Sequence, residues 1–146
     1  MEHDLFIDGN VNEYTWSIKT DGNIAEQIRE HPDAYLSGGK LDVKNDNESR
    51  FIAVHVGIYW GLGVYIIKDF DVVNIMCTSR QMYEIFTQKI KSDNQIINDK
   101  IYFINQLTKQ RNLKINYKLI EQNDNLATRL LLLDKDSIGR DSRGYV

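Results

Sequence analysis

Asp8 is the first residue whose type and setting could do chemistry. The string Leu5-Phe6-Ile7-Asp8-Gly9 places a carboxylate after three consecutive apolar residues, the pattern of a strand buried on both faces. Gly9 then lets the chain turn sharply. The next run, Tyr14-Thr15-Trp16-Ser17-Ile18-Lys19, alternates apolar and polar side chains, as an antiparallel partner with one dry face does. A carboxylate is therefore held at the rim of a rigid hairpin. The plainer reading is a surface aspartate in a turn. Glu48 is a second such group. It follows Asn45 and Asn47, either of which can N-cap a helix, and a first-turn negative charge suits the helix macrodipole. His55 reads as a packed or hydrogen-bonded helix residue, because no other His or Cys stands at ligand spacing. Cys77 is the only cysteine, which excludes an intramolecular disulfide and a multi-cysteine metal site and suits a reducing, cytoplasmic setting.

Charge is distributed unevenly along the chain. Residues 1–50 carry eleven acidic and five basic side chains, a net of −6, whereas residues 88–118 carry seven basic and two acidic ones, a net of +5. The basic stretch, with Lys89, Lys91, Lys100, Lys109, Arg111 and Lys114, could attract a polyanion; the bland alternative is a solvated, lysine-rich helix face.

The elements that must position these groups follow from periodicity. After the first hairpin, Ile24–Arg29 reads as one or two helical turns ended by Pro32. A third strand is expected over about 34–43, with Gly38-Gly39 as a bend or bulge. Residues 48–62 are apolar nearly all round, the signature of a central buried helix. Val72–Cys77 reads as a buried strand, and Ser79 as the cap of a helix from Arg80 to about Lys91. A second amphipathic helix runs from about Ile97 to Gln110, and Leu113–Ile120 alternates as a strand. A last helix begins near Asn123-Asp124-Asn125 and carries Leu126, Leu130, Leu131 and Leu133. The order is three antiparallel strands, helix, strand, two helices, strand, helix. Strands reached through helices should lie parallel to the first.

This order, with four local strings, resembles type 1 ribonuclease H over about residues 4–133. "LFIDGNVN" is similar to that family's first strand with its first catalytic Asp. "NDNESRFIAVHVGIYWGL" is similar to the lead into the central helix, whose Glu is the second catalytic residue. "VVNIMCTSRQMYEIF" is similar to the fourth strand and following helix, where the family has Thr-Asp-Ser. "NDNLATRLLL" is similar to the last helix, where the family has Asn-x-x-Ala-Asp. The resemblance implies an α/β domain with a mixed five-stranded sheet and helices on both faces. It also implies cleavage of the RNA strand of RNA–DNA hybrids by two Mg²⁺ ions about 3.5–4 Å apart, held by four carboxylates. Here Asp8 and Glu48 match the first two, whereas Thr78 and Thr128 stand where the family has Asp. Asp124, one helical turn or about 6 Å before Thr128, is the candidate substitute for the fourth.

Three functions follow as expectations. The first is a catalytically degenerate module that binds nucleic acid, an RNA–DNA hybrid or RNA, or a protein partner. The second is an active Mg²⁺- or Mn²⁺-dependent ribonuclease H with Asp8, Glu48 and Asp124, its metal bound weakly by Asp8 and Glu48. The third is a protein-binding inhibitor using the acidic face. The chain of 146 residues, 42% hydrophobic and 27% charged, suits one domain over 1–133. Residues 134–146 are expected as a loosely ordered tail. Neither a signal peptide nor an apolar run of the ~20 residues needed to span a membrane is read in it.

Overall fold

The computed structural model describes residues 1–32 and 42–136. Five strands, β1 (Glu2–Gly9), β2 (Glu13–Thr20), β3 (Asn23–Glu30), β4 (Val72–Cys77) and β5 (Lys114–Leu119), form one sheet in the order β3-β2-β1-β4-β5. β1, β2 and β3 are antiparallel, while β4 and β5 run parallel to β1. Four α-helices complete the described chain: α1 (Asp46–Gly63), α2 (Arg80–Phe86), α3 (Gln95–Arg111) and α4 (Leu126–Asp136). This is the mixed α/β sheet expected, with β1 at its centre. None of the described helices is long and apolar enough to cross a membrane.

The third strand departs from the sequence reading. Residues 23–30 form β3 rather than helical turns. Asp21 and Gly22, both left-handed (φ 50° and 85°), close a two-residue turn between Thr20 and its partner Asn23. Asp-Gly is the composition such a primed turn selects, because its twist matches that of the flanking strands. Ile24 and Ile28 are four apart and suggest a helix, but the turn commits the segment to pairing with β2. Most of the strand expected at 34–43 lies outside the described residues, and Asp42 and Val43 are not in a strand. β2 also differs, since Thr15 and Ser17 are as buried as Trp16. Both its faces are covered: the Thr15 hydroxyl donates to the Ala127 carbonyl of α4 at 2.8 Å, and Ser17 Oγ donates to Glu26 of β3 at 3.1 Å.

α1 is buried where periodicity placed it. Phe51, Ile52, Val54, Ile58 and Leu62 pack into the core, and Gly57 lets the helix lie directly on β1 and β2. A Cβ there would come within 3.3 Å of Leu5 and Trp16. Burying such side chains supplies roughly 1.5–3 kcal/mol each. α2 lies on the same face, with Phe86 stacked on Tyr117 of β5 at 4.7 Å. It ends at Phe86, short of the expected Lys91, because Thr87 caps it and Gln88 turns left-handed (φ 63°). α4 takes the opposite face and runs to Asp136, past the expected boundary at 133; residues 137–146 of the expected tail lie outside the described residues.

At the end of the sheet remote from Asp8, His3 is fully buried. Its Nε2 donates to Asp71 at 2.8 Å, and its Nδ1 lies 2.6 Å from Thr20 Oγ1. Burial opposes the charge of Asp71. The bonds from His3, the Lys68 N–H and the Met1 ammonium outweigh it and hold the carboxyl at about 2, below its ordinary 3.8. A depressed carboxyl stabilises the fold above its unfolded-state pKa, and that contribution is lost as pH falls through the folded value. Asp71→Asn should therefore remove an acid dependence lying between about pH 4 and 2, and lower stability at neutral pH by about 2 kcal/mol. Urea unfolding at pH 7 and pH 3 measures both effects, and an unchanged slope between the two would refute the account.

Candidate functional site

Asp8, next to last in β1, is only 4% exposed. A buried carboxylate needs partners for both oxygens. Oδ1 accepts from the Gly9 N–H at 2.8 Å and from Arg50 Nε at 3.1 Å, and Oδ2 accepts from the Thr128 hydroxyl at 2.5 Å. Each partner is delivered by a separate local device. Gly9 carries no Cβ, and one built there would collide with the Ser49 side chain, so only glycine allows the first turn of α1 this close. That approach brings Arg50 to Asp8. α4 is pinned by Asn125, whose Nδ2 donates to the Ile7 carbonyl at 2.9 Å while its Oδ1 accepts from the Ala127 N–H at 3.0 Å. Thr128 is then one turn into α4, against Asp8.

Glu48, also 4% exposed, is committed elsewhere. Its N–H donates to the N-cap Asn45 at 2.9 Å. Its carboxylate accepts from the Lys44 N–H at 2.7 Å and from Asn94 Nδ2 at 2.5 Å. Asn94 is itself the N-cap of α3 and accepts from the Ile97 N–H at 3.1 Å. Glu48 thus extends the capping of α1 backward and fastens α1 to α3.

The remaining sequence candidates are dispersed. Thr78 lies just past β4 and is half-buried; continuing the Phe6–Met76 register by two residues aligns it with Asp8. Asp124 is exposed on a short 3₁₀ turn, Gln122–Asp124, that precedes α4. The expectation that it shares a helical face with Thr128 fails, because α4 begins only at Leu126 after the Asn125 cap. The basic stretch does not form one surface. Lys89 and Lys91 precede α3, and Lys109 and Arg111 end it. Fourteen helical residues, 95–108, lie between the two groups, about 21 Å. Lys114 opens β5 at the latter end, Arg111 pairs with Asp69 at 2.5 Å, and Lys100 lies half-buried between.

The donor set does not fit a pair of divalent ions. Among the described residues no three His, Cys, Asp or Glu side chains gather where they could hold one ion. Asp8 carries a guanidinium where a metal would have to bind, and its other oxygen is occupied by a neutral hydroxyl. Hard cations need several oxygen ligands free to coordinate.

Beside these residues is an open groove of about 840 Å³. It is lined by the starts of α1, α2 and α3 and by the cations Lys44, Arg50 and Lys91, with Asp46 and Asp93 as the acids. N-termini of helices carry unpaired N–H groups and partial positive charge, which suit phosphate. Sequence reasoning counted Arg50 and Lys44 only as charges and missed Asn94. The polar turn Ser92-Asp93-Asn94 before an apolar helical pattern was the signal for that cap.

No family model matches the sequence, and neither does any curated protein. Solved structures do match. A ribonuclease H1 from the halophilic archaeon Halobacterium salinarum superposes with a TM-score of 0.69 at 14% identity, over 92% of this chain and 99% of the other. The N-terminal RNase H domain of a Mycobacterium tuberculosis protein gives 0.66 at 16%, over 89% and 95%. A ribonuclease H1 solved in complex with an RNA/DNA hybrid gives 0.64 at 13%, over 88% and 91%. The chain has a ribonuclease H-like fold. Within that fold, Asp8 ends the central strand and Glu48 opens the first helix, as the resemblance implied.

Rebuilding a metal site therefore requires three changes. Thr78→Asp with Thr128→Asp adds two carboxylates, but Arg50 still neutralises Asp8. Adding Arg50→Ala should raise Mg²⁺ affinity well beyond the double variant. Without metal the triple variant should be less stable by a few kcal/mol, since like charges then crowd Asp8 (an estimate from the usual cost of unpaired buried charge). Calorimetric Mg²⁺ titration and thermal melting with and without the ion measure the two effects. Equal Mg²⁺ affinity in the double and triple variants would show that Arg50 does not block the site.

Proposed function

We propose that this ribonuclease H-like domain binds nucleic acid, with an RNA–DNA hybrid as the preferred duplex, and does not cleave it by a metal-dependent route. One observation carries the reading: the oxygens of Asp8 and Glu48 are all engaged in hydrogen bonds or an ion pair within the fold. Removing the cost of an unpaired buried carboxylate is sufficient reason for these contacts. A water activated by metal, or a leaving oxygen steadied by one, needs ligands that this arrangement does not free.

The groove supports the binding half of the reading. Lys44, Arg50 and Lys91 offer charge, and the starts of α1 and α3 offer backbone donors, in a concave strip beside the end of the sheet. Such contacts grip phosphates without reading sequence, and a hybrid would be selected by its shape and 2′-hydroxyls. The structural neighbour bound to an RNA/DNA hybrid shares the fold. A reducing cytoplasmic compartment remains part of the proposal on the strength of the single buried Cys77.

The test pairs binding with cleavage on a labelled hybrid. Binding should weaken steeply with salt, and Lys44→Ala with Lys91→Ala should flatten the plot of log K against log salt by about two units, one for each phosphate left unneutralised. No cleavage should appear in Mg²⁺ or Mn²⁺. Cleavage by the native protein that Asp8→Asn abolishes would establish the active alternative. Binding unchanged by both lysine substitutions would show that the groove is not the contact surface.

A further inference from the structure

α1 and α3 run side by side in the same direction. Glu48 meets Asn94 at their starts, and His55 meets Lys100 and Phe103 farther along. Beyond the groove the two helices enclose a second cleft of about 390 Å³, lined by His55, Tyr59, Tyr102, Phe103, Gln106, Leu107 and Gln110. Its composition is unusual for a helix surface. Tyr59, Tyr102 and Phe103 are 66%, 59% and 45% exposed, yet Leu107 is the only aliphatic residue lining it. Phe103 is held flat against His55, with ring centroids 5.5 Å apart and planes 22° from parallel. Tyr102 is fixed by the bond from Gln106 Nε2 to its hydroxyl at 2.9 Å.

The second observation is a cation held without a salt bridge. Lys100 is half-buried. Its ammonium donates to His55 Nδ1 at 3.4 Å and lies 5.8 Å from the Phe103 ring centre. It forms no salt bridge with any carboxylate among the described residues. Burial lowers its basicity by more than the nearby Asp99 raises it, and burial together with the Lys100 charge pushes His55 down to about 4. Lys100 does not itself line the cleft but touches two residues that do, His55 and Phe103, so an anion at that edge would meet an ammonium outside any ion pair.

Exposed aromatic faces, an ammonium outside any ion pair and two glutamine amides are the parts that hold a nucleotide: rings for the base, charge for the phosphate, amides for base edges. Aliphatic residues, which a docked protein helix would require, are nearly absent. We propose that the α1–α3 cleft holds a nucleotide of an unpaired RNA or DNA strand, its base stacked on Phe103 and Tyr59 and its phosphate at Lys100. Position supports a strand over a free nucleotide. Phe103 is nine residues beyond Asn94 on α3, about 14 Å or roughly four stacked base steps from the groove. One strand leaving a duplex held in the groove could reach it. The inference deepens the nucleic-acid-binding reading and rests on it.

The test measures fluorescence anisotropy of native protein and variants with a blunt hybrid, the same hybrid carrying a single-stranded overhang, an unpaired oligonucleotide, and AMP alone. The native protein should bind the overhang hybrid about tenfold more tightly than the blunt one, the gain expected of one or two stacked bases. Phe103→Ala and Tyr59→Ser should each reduce that gain with blunt-hybrid affinity unchanged, while Phe103→Trp should keep it. Lys100→Gln should reduce it and make it less sensitive to salt. Tyr59 is largely exposed, so its variant keeps the inference testable if Phe103→Ala fails to fold. Equal affinity for blunt and overhang hybrids overturns the inference and leaves the groove reading standing. Tight oligonucleotide binding, abolished in Tyr59→Ser, with no blunt-hybrid binding overturns the groove reading and keeps the cleft. AMP binding abolished in Phe103→Ala with no gain from an overhang overturns the strand as occupant.

Discussion

A carboxylate buried at the end of the central strand must be answered by the rest of the protein. Asp8 cannot stay charged at 4% exposure without donors for both oxygens, and leaving either unpaired would cost on the order of 1–3 kcal/mol. Three elements supply them: the Gly9 backbone at the end of β1, Arg50 from α1 and Thr128 from α4. α1 and α4 lie on opposite faces of the sheet. Asp8 is therefore the point where both helical layers are fixed in register with β1. Glu48 performs the related task one layer outward, joining the starts of α1 and α3.

This double fastening bears on why Asp8 and Glu48 stand where a ribonuclease H would have catalytic groups. A catalytic carboxylate is kept for what it can bind in the reacting state. A structural one is kept for bonds already made. In this chain every partner of both residues is a protein donor, and three of those donors (the Gly9, Lys44 and Asn94 groups) belong to turns or caps that would need polar partners in any case. Thr at position 128, where the resembled family has Asp, also bears on Asp8. Two carboxylates at this distance would repel unless a cation lay between them. A hydroxyl instead donates, so the pair is stable with no ion present.

How much of this was legible depended on whether the relevant signal was local. β1, α1, β4, α3 and β5 were readable because each carries its own periodicity, and α1 also has its cap, Asn45, directly before its start. β3 was misread because Ile24 and Ile28 fit a helix as well as a strand. The decisive signal was the Asp21-Gly22 turn, which counts only once its twist relative to β2 is considered. The carboxylates were found through their strings, but their partners were not. Arg50 and Glu48 are two apart on one helical turn, and sequence could not say which would meet Asp8; that depends on how closely Gly9 lets Ser49 approach. The lysines of 88–118 looked like one patch because they are close in sequence, yet α3 puts Lys89 and Lys91 before one end and Lys109 and Arg111 at the other.

The threonines at 78 and 128 have an electrostatic consequence that reaches beyond Asp8. Four carboxylates at the end of a sheet repel phosphate unless dications cover them, so a protein with that set approaches nucleic acid productively only when loaded with metal. With hydroxyls at 78 and 128, the end of this sheet retains Asp8 and Glu48. Arg50 neutralises the first, and amide donors spread the charge of the second. Lys44 and Lys91 then face a groove whose remaining acids are Asp46 and Asp93. The local field is close to balanced rather than strongly negative. The phosphate contact proposed at the starts of α1 and α3 would therefore need no bound ion to offset the charge there. The hydroxyls at 78 and 128 thus bear at once on metal binding and on the field that the proposed phosphate contact would meet.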